Sequence, residues 1–301
     1  MRKKNYRNQI INNSKTDRFI LLINKILLSI IVIVVIVPLL YVLLGSFLQP
    51  NILLTKGISL NPDHWTLDGY IRIFQDGSII RGFLNSIFYA VGFTFVSITF
   101  TVLAGYSLSI DNLVGKKFFT IFFLFTMFFN GGMIPSYLVI RSLGLLNTPW
   151  AIILPGAVSV WNIVLTRTYF KGLPNELKEA AKIDGASDLM IFIKIILPLS
   201  KPIIFVIALF AFIGQWNAYF QAMIYLDDRS LYPLQLVLRE ILIQNEVQPG
   251  MIADQLARAE MQRIAEMIKY SSIVIASLPL LIMYPFFQKY FEKGVMVGSL
   301  K

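Results

Sequence analysis

The chain has 301 residues, of which 56% are hydrophobic and 15% charged; an ordinary soluble domain carries about 25% charged residues. Several apolar runs exceed the roughly 20 residues that cross a hydrocarbon core as a helix, which excludes a soluble globular domain and predicts an all-α integral membrane protein. The net charge of +10 fits basic residues gathered at an anionic lipid face better than nucleic-acid binding, and the absence of cysteine excludes disulfides and a thiol nucleophile.

Six transmembrane helices are expected in chain order. A basic tail, 1–18, precedes the first at about Ile20 to Phe47, within a 19–48 anchor segment. The apolar run of that segment is too long for a secretory signal, and no small-x-small cleavage site follows it. A polar segment then carries the single histidine, His64, which reads as a surface residue because a metal needs several ligands. The remaining spans fall at about Phe83 to Ile110, Phe118 to Ile140, Trp150 to Thr168, Pro202 to Leu226 and Ser271 to Phe291, a five-helix core over 83–291. Eighteen Lys and Arg lie in the two tails and the loops after the second and fourth spans, against nine in the other three loops. The richer side is expected to be cytoplasmic, so both termini, including a 292–301 tail, lie inside. The loop at 227–270 is then extracytoplasmic, and its part from Ile252 to Ile268 is expected to be helical from its i,i+4 spacings.

Between the fourth and fifth spans runs "ELKEAAKIDGASDLMIFIKIILPLSKP", from Glu176 to Pro202, polar among greasy neighbours. Pro174 suits a first helical position and Glu176 the positive end of the helix dipole. Gly185 is expected to stop this helix, Ser187 to start a second with Asp188 in its first turn, and Pro198 to end it. The result is a helix–turn–helix at 171–198 outside the bilayer. Ala180 and Ala181 would let another surface come close to the backbone, and Glu179 offers it a charge. A solvated connector without a partner is the alternative, since a charged helix is often only a wet face.

Glu179-Ala180-Ala181, then Gly185, then Ile195-x-Leu197-Pro198 resembles the EAA signature of permease subunits in binding-protein-dependent ABC importers. "NGGMIPSYLVIRSLGLLNT" from Asn130, "GQWNAYF" from Gly214 and the ending "FFQKYFEKGVMVGSLK" are similar to the carbohydrate-uptake branch for oligosaccharides and polysaccharides, which includes the smaller maltose-importer permease. The resemblance implies the type I ABC importer permease fold and places the chain in a bacterial inner or plasma membrane. It implies that Glu179, Ala180, Ala181, Asp184 and Gly185 form a coupling helix seated in a separate ATPase. The implied partners are a second homologous permease, an ATP-binding subunit dimer that holds ATP and Mg, an extracytoplasmic solute-binding protein, an oligosaccharide substrate and membrane lipid.

The chain is expected to be a non-catalytic subunit without a cofactor or metal of its own. A phosphate loop needs Gly, four residues, then Gly-Lys-Ser/Thr, whereas Gly115-Lys116 is followed by Lys117 and preceded at that distance by Ile110. Spans two to six carry no carboxylate of the kind that relays protons in secondary transporters. Asn130-Gly131-Gly132 and Pro135 interrupt the third span, where freed backbone can line a cavity or mark a packing kink. Gln215, Trp216, Asn217 and Tyr219 mix amides with rings, which suits either a sugar path or an interfacial aromatic belt. Asn85 and Ser86 are weaker path candidates. Two other readings stay open: a permease for amino acids or peptides, and a polytopic membrane enzyme.

Overall fold

The computed structural model describes residues 15–245 and 255–298. Most of the expected basic tail, and the expected helical start at Ile252, therefore lie outside the described residues. Apart from one antiparallel bridge between Leu48 and Trp65, the described backbone contains no β pairing. The chain opens with α1 (Lys15–Gly45), α2 (Pro50–Lys56) and α3 (Asp68–Gln75). Then come α4 (Gly77–Ser109), α5 (Lys116–Phe128), α6 (Met133–Ser142), α7 (Trp150–Ile153) and α8 (Val160–Lys171). A polar pair follows, α9 (Asn175–Ile183) and α10 (Asp188–Ile191), the latter running through a π turn into α11 (Leu197–Leu199). The chain ends with α12 (Lys201–Trp216), α13 (Phe220–Tyr225), α14 (Leu234–Asn245) and α15 (Gln255–Gly298).

The all-α class agrees with the sequence, as does the break expected in the third span, and the fourth and fifth spans prove to be interrupted as well. Among the described residues three helical stretches, 17–45, 77–109 and 265–285, are long and apolar enough to cross a membrane unbroken. The third expected span is α5 and α6 bent by 115°, and the fifth is reached through a 74° bend between 188–199 and 201–216. The fourth is split into α7 and α8 by a loop at 154–159. Each break has a local cause. Gly132 and Gly156 sit at φ +88° and +74°, where an L side chain is strained. Pro155 adds a missing amide hydrogen to the second break. The helix that Pro198 was expected to end stops one residue later, at Leu199, and a π turn over Phe192–Ile196 precedes the proline, passing the amide of Leu197 to the carbonyl of Phe192. That wider turn absorbs the hydrogen bond a proline cannot make.

Helix α4 is the hub and packs against α8, α12 and α14. Its crossing with α8 is close enough that a Cβ at Gly105 would stand 2.9 Å from Thr166 Cγ2 and 3.3 Å from the amide nitrogen of Arg167. At one end of the bundle Ile73, Ile79, Phe212, Trp216, Leu234 and Ile275 form a core. Trp216 is fully buried; its ring stacks on Phe212 at 6.1 Å, meets Phe83 edge-on at 5.6 Å, and its Nε1–H donates to the carbonyl of Ala276 at 3.0 Å. At the other end Val102, Phe170, Ile191, Phe192 and Ile196 form a second core beneath α9. None of the apolar window of α1 is buried within the chain.

Within the segment expected as an external loop at 227–270, the described stretch leading into α14 is bonded to the bundle. Asn85 Nδ2 donates to the carbonyls of Ser230 and Tyr232 at 2.8 and 3.0 Å, Tyr89 Oη donates to Leu231 at 2.8 Å, and Ser86 Oγ accepts the Leu234 amide at 2.8 Å. These contacts satisfy the backbone that enters α14, so Asn85 and Ser86 are spent on structure and are not free for a substrate. The helix expected near 252–268 is real over its described part, yet it is not separate: α15 continues through the sixth span.

Two substitutions test this packing. Trp216→Ala is expected to cost about 3–5 kcal/mol from the cavity left behind, read as a lower melting temperature of the detergent-solubilised protein. Gly105→Val is expected to cost about 1–3 kcal/mol by overpacking the α4–α8 crossing, measured the same way.

Candidate functional site

Two regions gather the polar residues that the core does not consume. The first is the α9–α10 pair. Pro174 caps α9, and the helix closes in a Schellman arrangement: the Ala186 amide donates to the Ala181 carbonyl at 2.9 Å and the Gly185 amide to Lys182 at 3.0 Å. This closure requires the left-handed backbone of Gly185, at φ +79°. Asp184 is the C-cap residue. Ser187 Oγ then accepts the Met190 amide at 3.3 Å and starts α10, with Asp188 in its first turn.

The faces of α9 divide cleanly. Glu179, Ala180, Asp184 and Gly185 are exposed, whereas Ala181 is half-buried against the core that holds Phe170, Ile191 and Phe192. Of the two alanines only Ala180 is therefore open to an outside surface. Sequence reading passed over the apolar residues beside them: Ile183 is 86% and Leu189 66% exposed, and Leu177 and Met190 are also uncovered. Large apolar groups rising from a charged helix mark a surface that another protein covers. Their signal in the sequence was weak, because Leu177 and Ile183 are single aliphatic residues among charged ones, and Leu189 and Met190 open an apolar run that reads as buried.

The joint under this helix is aromatic. Tyr106 of α4 meets Phe192 at 4.6 Å and Phe170 edge-on at 6.0 Å. A polar cleft of about 490 Å³ separates α9 from the end of α4. At its rim Asp111 pairs with Lys116 at 3.1 Å and Lys171 at 3.4 Å, and Lys182 pairs with Asp188 at 3.3 Å. The hydrogen bond from Lys116, then that from Lys171, holds the Asp111 carboxyl below its ordinary value of 3.8. The clasp is thus intact at neutral pH and is lost as pH falls through that lowered value.

The second region is a cavity of about 500 Å³ bounded by α4, the 154–159 break, α8 and the end of α12. Ser97, Ser159, Asn162, Gln215, Asn217 and Tyr219 line it. Gln215 is largely buried and borders the cavity. Asn217 and Tyr219 lie beside it, while Trp216 points the other way into the core, which corrects its expected place on a sugar path. Asn130 is not part of the cavity either; its Oδ1 accepts the Gly132 amide at 2.8 Å at the α5–α6 break. The residues missed here were Ser159 and Asn162. The Pro155-Gly156 pair inside an apolar run was the available cue, since that dipeptide marks a turn and a turn at membrane depth needs a polar or protein lining. Among the described residues no group of histidines and acids could hold a metal ion.

The chain was compared with known proteins. The model of the family described as binding-protein-dependent transport system inner membrane component matches residues 10–297. The polygalacturonan/rhamnogalacturonan transport system permease protein YtcP of Bacillus subtilis (strain 168) is 41% identical over 267 residues, covering 88% of this chain and 92% of its own. Protein LplC of the same organism is 40% identical over 290 residues, 96% of this chain and 97% of its own. A solved chain of a bacterial ABC transporter involved in the import of the acidic polysaccharide alginate superposes with a TM-score of 0.83 at 33% identity, over 92% of this chain and 98% of that one. With a broken-helix bundle, a cavity bearing amides and hydroxyls on a largely apolar wall, and an exposed EAA helix on one chain, this protein belongs to the binding-protein-dependent inner membrane components, the permease subunits of ABC importers.

Proposed function

We propose that this chain forms one half of the translocation path for an oligosaccharide, handed over by an extracytoplasmic binding protein and driven by a separate ATPase dimer that holds ATP and Mg. The second half of the path comes from a homologous permease. The observation that carries the reading is the α9–α10 pair: a capped, charged helix with Glu179 and Ala180 open to solvent and Ile183 almost bare. In this reading Glu179, Ala180, Asp184, Gly185 and the exposed apolar residues seat in the ATPase, and Ala181 anchors the helix from within. The α9 end is cytoplasmic, as are both termini, and the α14 end faces outward.

The mechanism needs no chemistry in this chain. ATP binding closes the ATPase dimer and moves α9, and the Tyr106–Phe170–Phe192 joint carries the movement into α4 and α8. Those helices wall the central cavity, so their displacement opens it to one side or the other. The nucleotide must bind the two states with affinities differing by about 5.5 kcal/mol to reverse a 1:99 population. Within the cavity Gln215, Asn162, Asn217 and Tyr219 offer amides to hydroxyls and a ring to the apolar face of a sugar. The saccharide systems named for the relatives YtcP and the alginate importer support this cargo class.

Gentle purification is expected to recover an ATPase dimer and a second, different permease; a homodimer free of ATPase would remove the reading. Ala180→Cys is expected to crosslink to the ATPase, and labelling of that cysteine only from outside intact cells would reverse the topology. Glu179→Ala is expected to lower ATP-driven uptake about tenfold, the equivalent of about 1.4 kcal/mol at the contact, with the complex still assembled. Gln215→Ala and Asn162→Ala are each expected to raise the KM for uptake by about twofold to tenfold, as the loss of one hydrogen bond worth about 0.5–1.5 kcal/mol implies.

A further inference from the structure

A second groove, of about 540 Å³, lies between α14, α15 and the end of α12. Asn217 and Tyr219 line both this groove and the central cavity, so the two share a wall. The rest of the lining is mostly apolar, with Leu238, Leu242, Ile273 and Leu280, and it includes two cations, Arg239 and Lys269, and no carboxylate.

The state of those cations is unusual for so apolar a place. Arg239 is half-buried, its guanidinium lies 5.4 Å from the Tyr219 ring centre, and its Nη1 approaches Met223 Sδ at 3.3 Å. Among the described residues it has no carboxylate partner. Glu240, its neighbour on α14, pairs with Arg229 at 3.8 Å instead. Lys269 pairs with Glu266 at 3.4 Å on its own helix and stands 5.5 Å from the Tyr270 ring centre. Ser272, 3% exposed, lines the same groove with an Oγ that finds no partner. Arg239 is thus a partly buried guanidinium held by a ring and a thioether, with donors to spare and no carboxylate beside it among the described residues. A carboxylate would take up the spare donors bidentately.

We propose that the α14–α15 groove is an anion-binding subsite of the path, taking the carboxylate of an acidic sugar unit on Arg239 and Lys269 while the pyranose ring rests near Tyr219. This rests on the sugar-path reading above and narrows it from saccharides in general to uronate-containing ones. The groove sits at the α14 end of the bundle, where an incoming sugar meets it before the amide-lined cavity. The cation–π contact keeps Arg239 in place when the site is empty. A carboxylate then gains a charge-assisted pair with the guanidinium that a neutral sugar cannot make.

The copurified complex, reconstituted in phosphatidylcholine vesicles with its binding protein, supplies the test. Uptake of trigalacturonate, its methyl ester and maltotriose is measured. The wild type is expected to prefer trigalacturonate to the ester. The ratio of the two rates at low substrate is expected to fall tenfold or more in Arg239→Gln, to recover in part in Arg239→Lys, and to fall less steeply in Lys269→Gln. A ratio does not depend on how much complex survives, and if Arg239→Gln fails to assemble, the other two variants give the same reading. An unchanged ratio in all assembled variants overturns the subsite, as does a wild type that carries the ester and maltotriose but not trigalacturonate; both leave the sugar-path reading standing. Transport of none of the three sugars overturns that reading and the subsite with it. Sensitivity of Arg239→Gln to added phosphatidylglycerol, with an unchanged sugar ratio, assigns the groove to a lipid headgroup and overturns the proposal.

Discussion

The structure depends on how α9 is fixed to the bundle. Three aromatic rings, Tyr106, Phe170 and Phe192, and the half-buried Ala181 tie a solvent-exposed helix to α4 and α8, two walls of the cavity. Ring contacts of this kind resist shear because they are close-packed and geometrically specific. A helix attached through a wet, polar loop would swivel and lose the displacement it received. The small alanine at 181 allows the aromatic cluster to reach the α9 backbone, while Ala180, one step round the helix, keeps the outer face low.

The second organising feature is interruption. An unbroken helix in lipid has no spare backbone polar groups, so it cannot line a polar route by its backbone. Here the breaks at 130–132, 154–159 and near 200 fall in three successive membrane segments. The middle one borders the central cavity, which also takes its amides from the end of α12. The chain thereby gathers polar groups at depth without placing a carboxylate there.

Much of this architecture was legible in the sequence because its causes are local. The Schellman stop at Gly185, the Ser187 cap and the apolar length of α1, α4 and α15 all follow from residue type and spacing. The parts that were not legible depend on which face turns inward. Trp216 and Asn217 are adjacent, yet one is locked in the core by Ala276 and Phe212 and the other borders a cavity. Composition treats them alike. Asn85 and Ser86 looked like path residues until the α14 entry, some 145 residues later in the chain, claimed their hydrogen bonds. The helix end beside Pro198 was legible, whereas the π turn before it is invisible in the pattern of residues. The fourth span appeared continuous because Pro155-Gly156 was weighed less than the apolar run around it.

Helix α15 has a geometric corollary. Its 44 residues form one continuous helix with Pro279 and Pro285 inside it, about 66 Å along its path at 1.5 Å per residue, roughly twice the thickness of a hydrocarbon core. If it pivots as one body at the level of Ser271 and Ala276, where α3, α12 and α14 brace it, a tilt of about 5° sweeps a tip some 40 Å away through about 3–4 Å. Such a pole converts a slight lean on one side of the bilayer into a visible excursion on the other, without any bond between the two being remade.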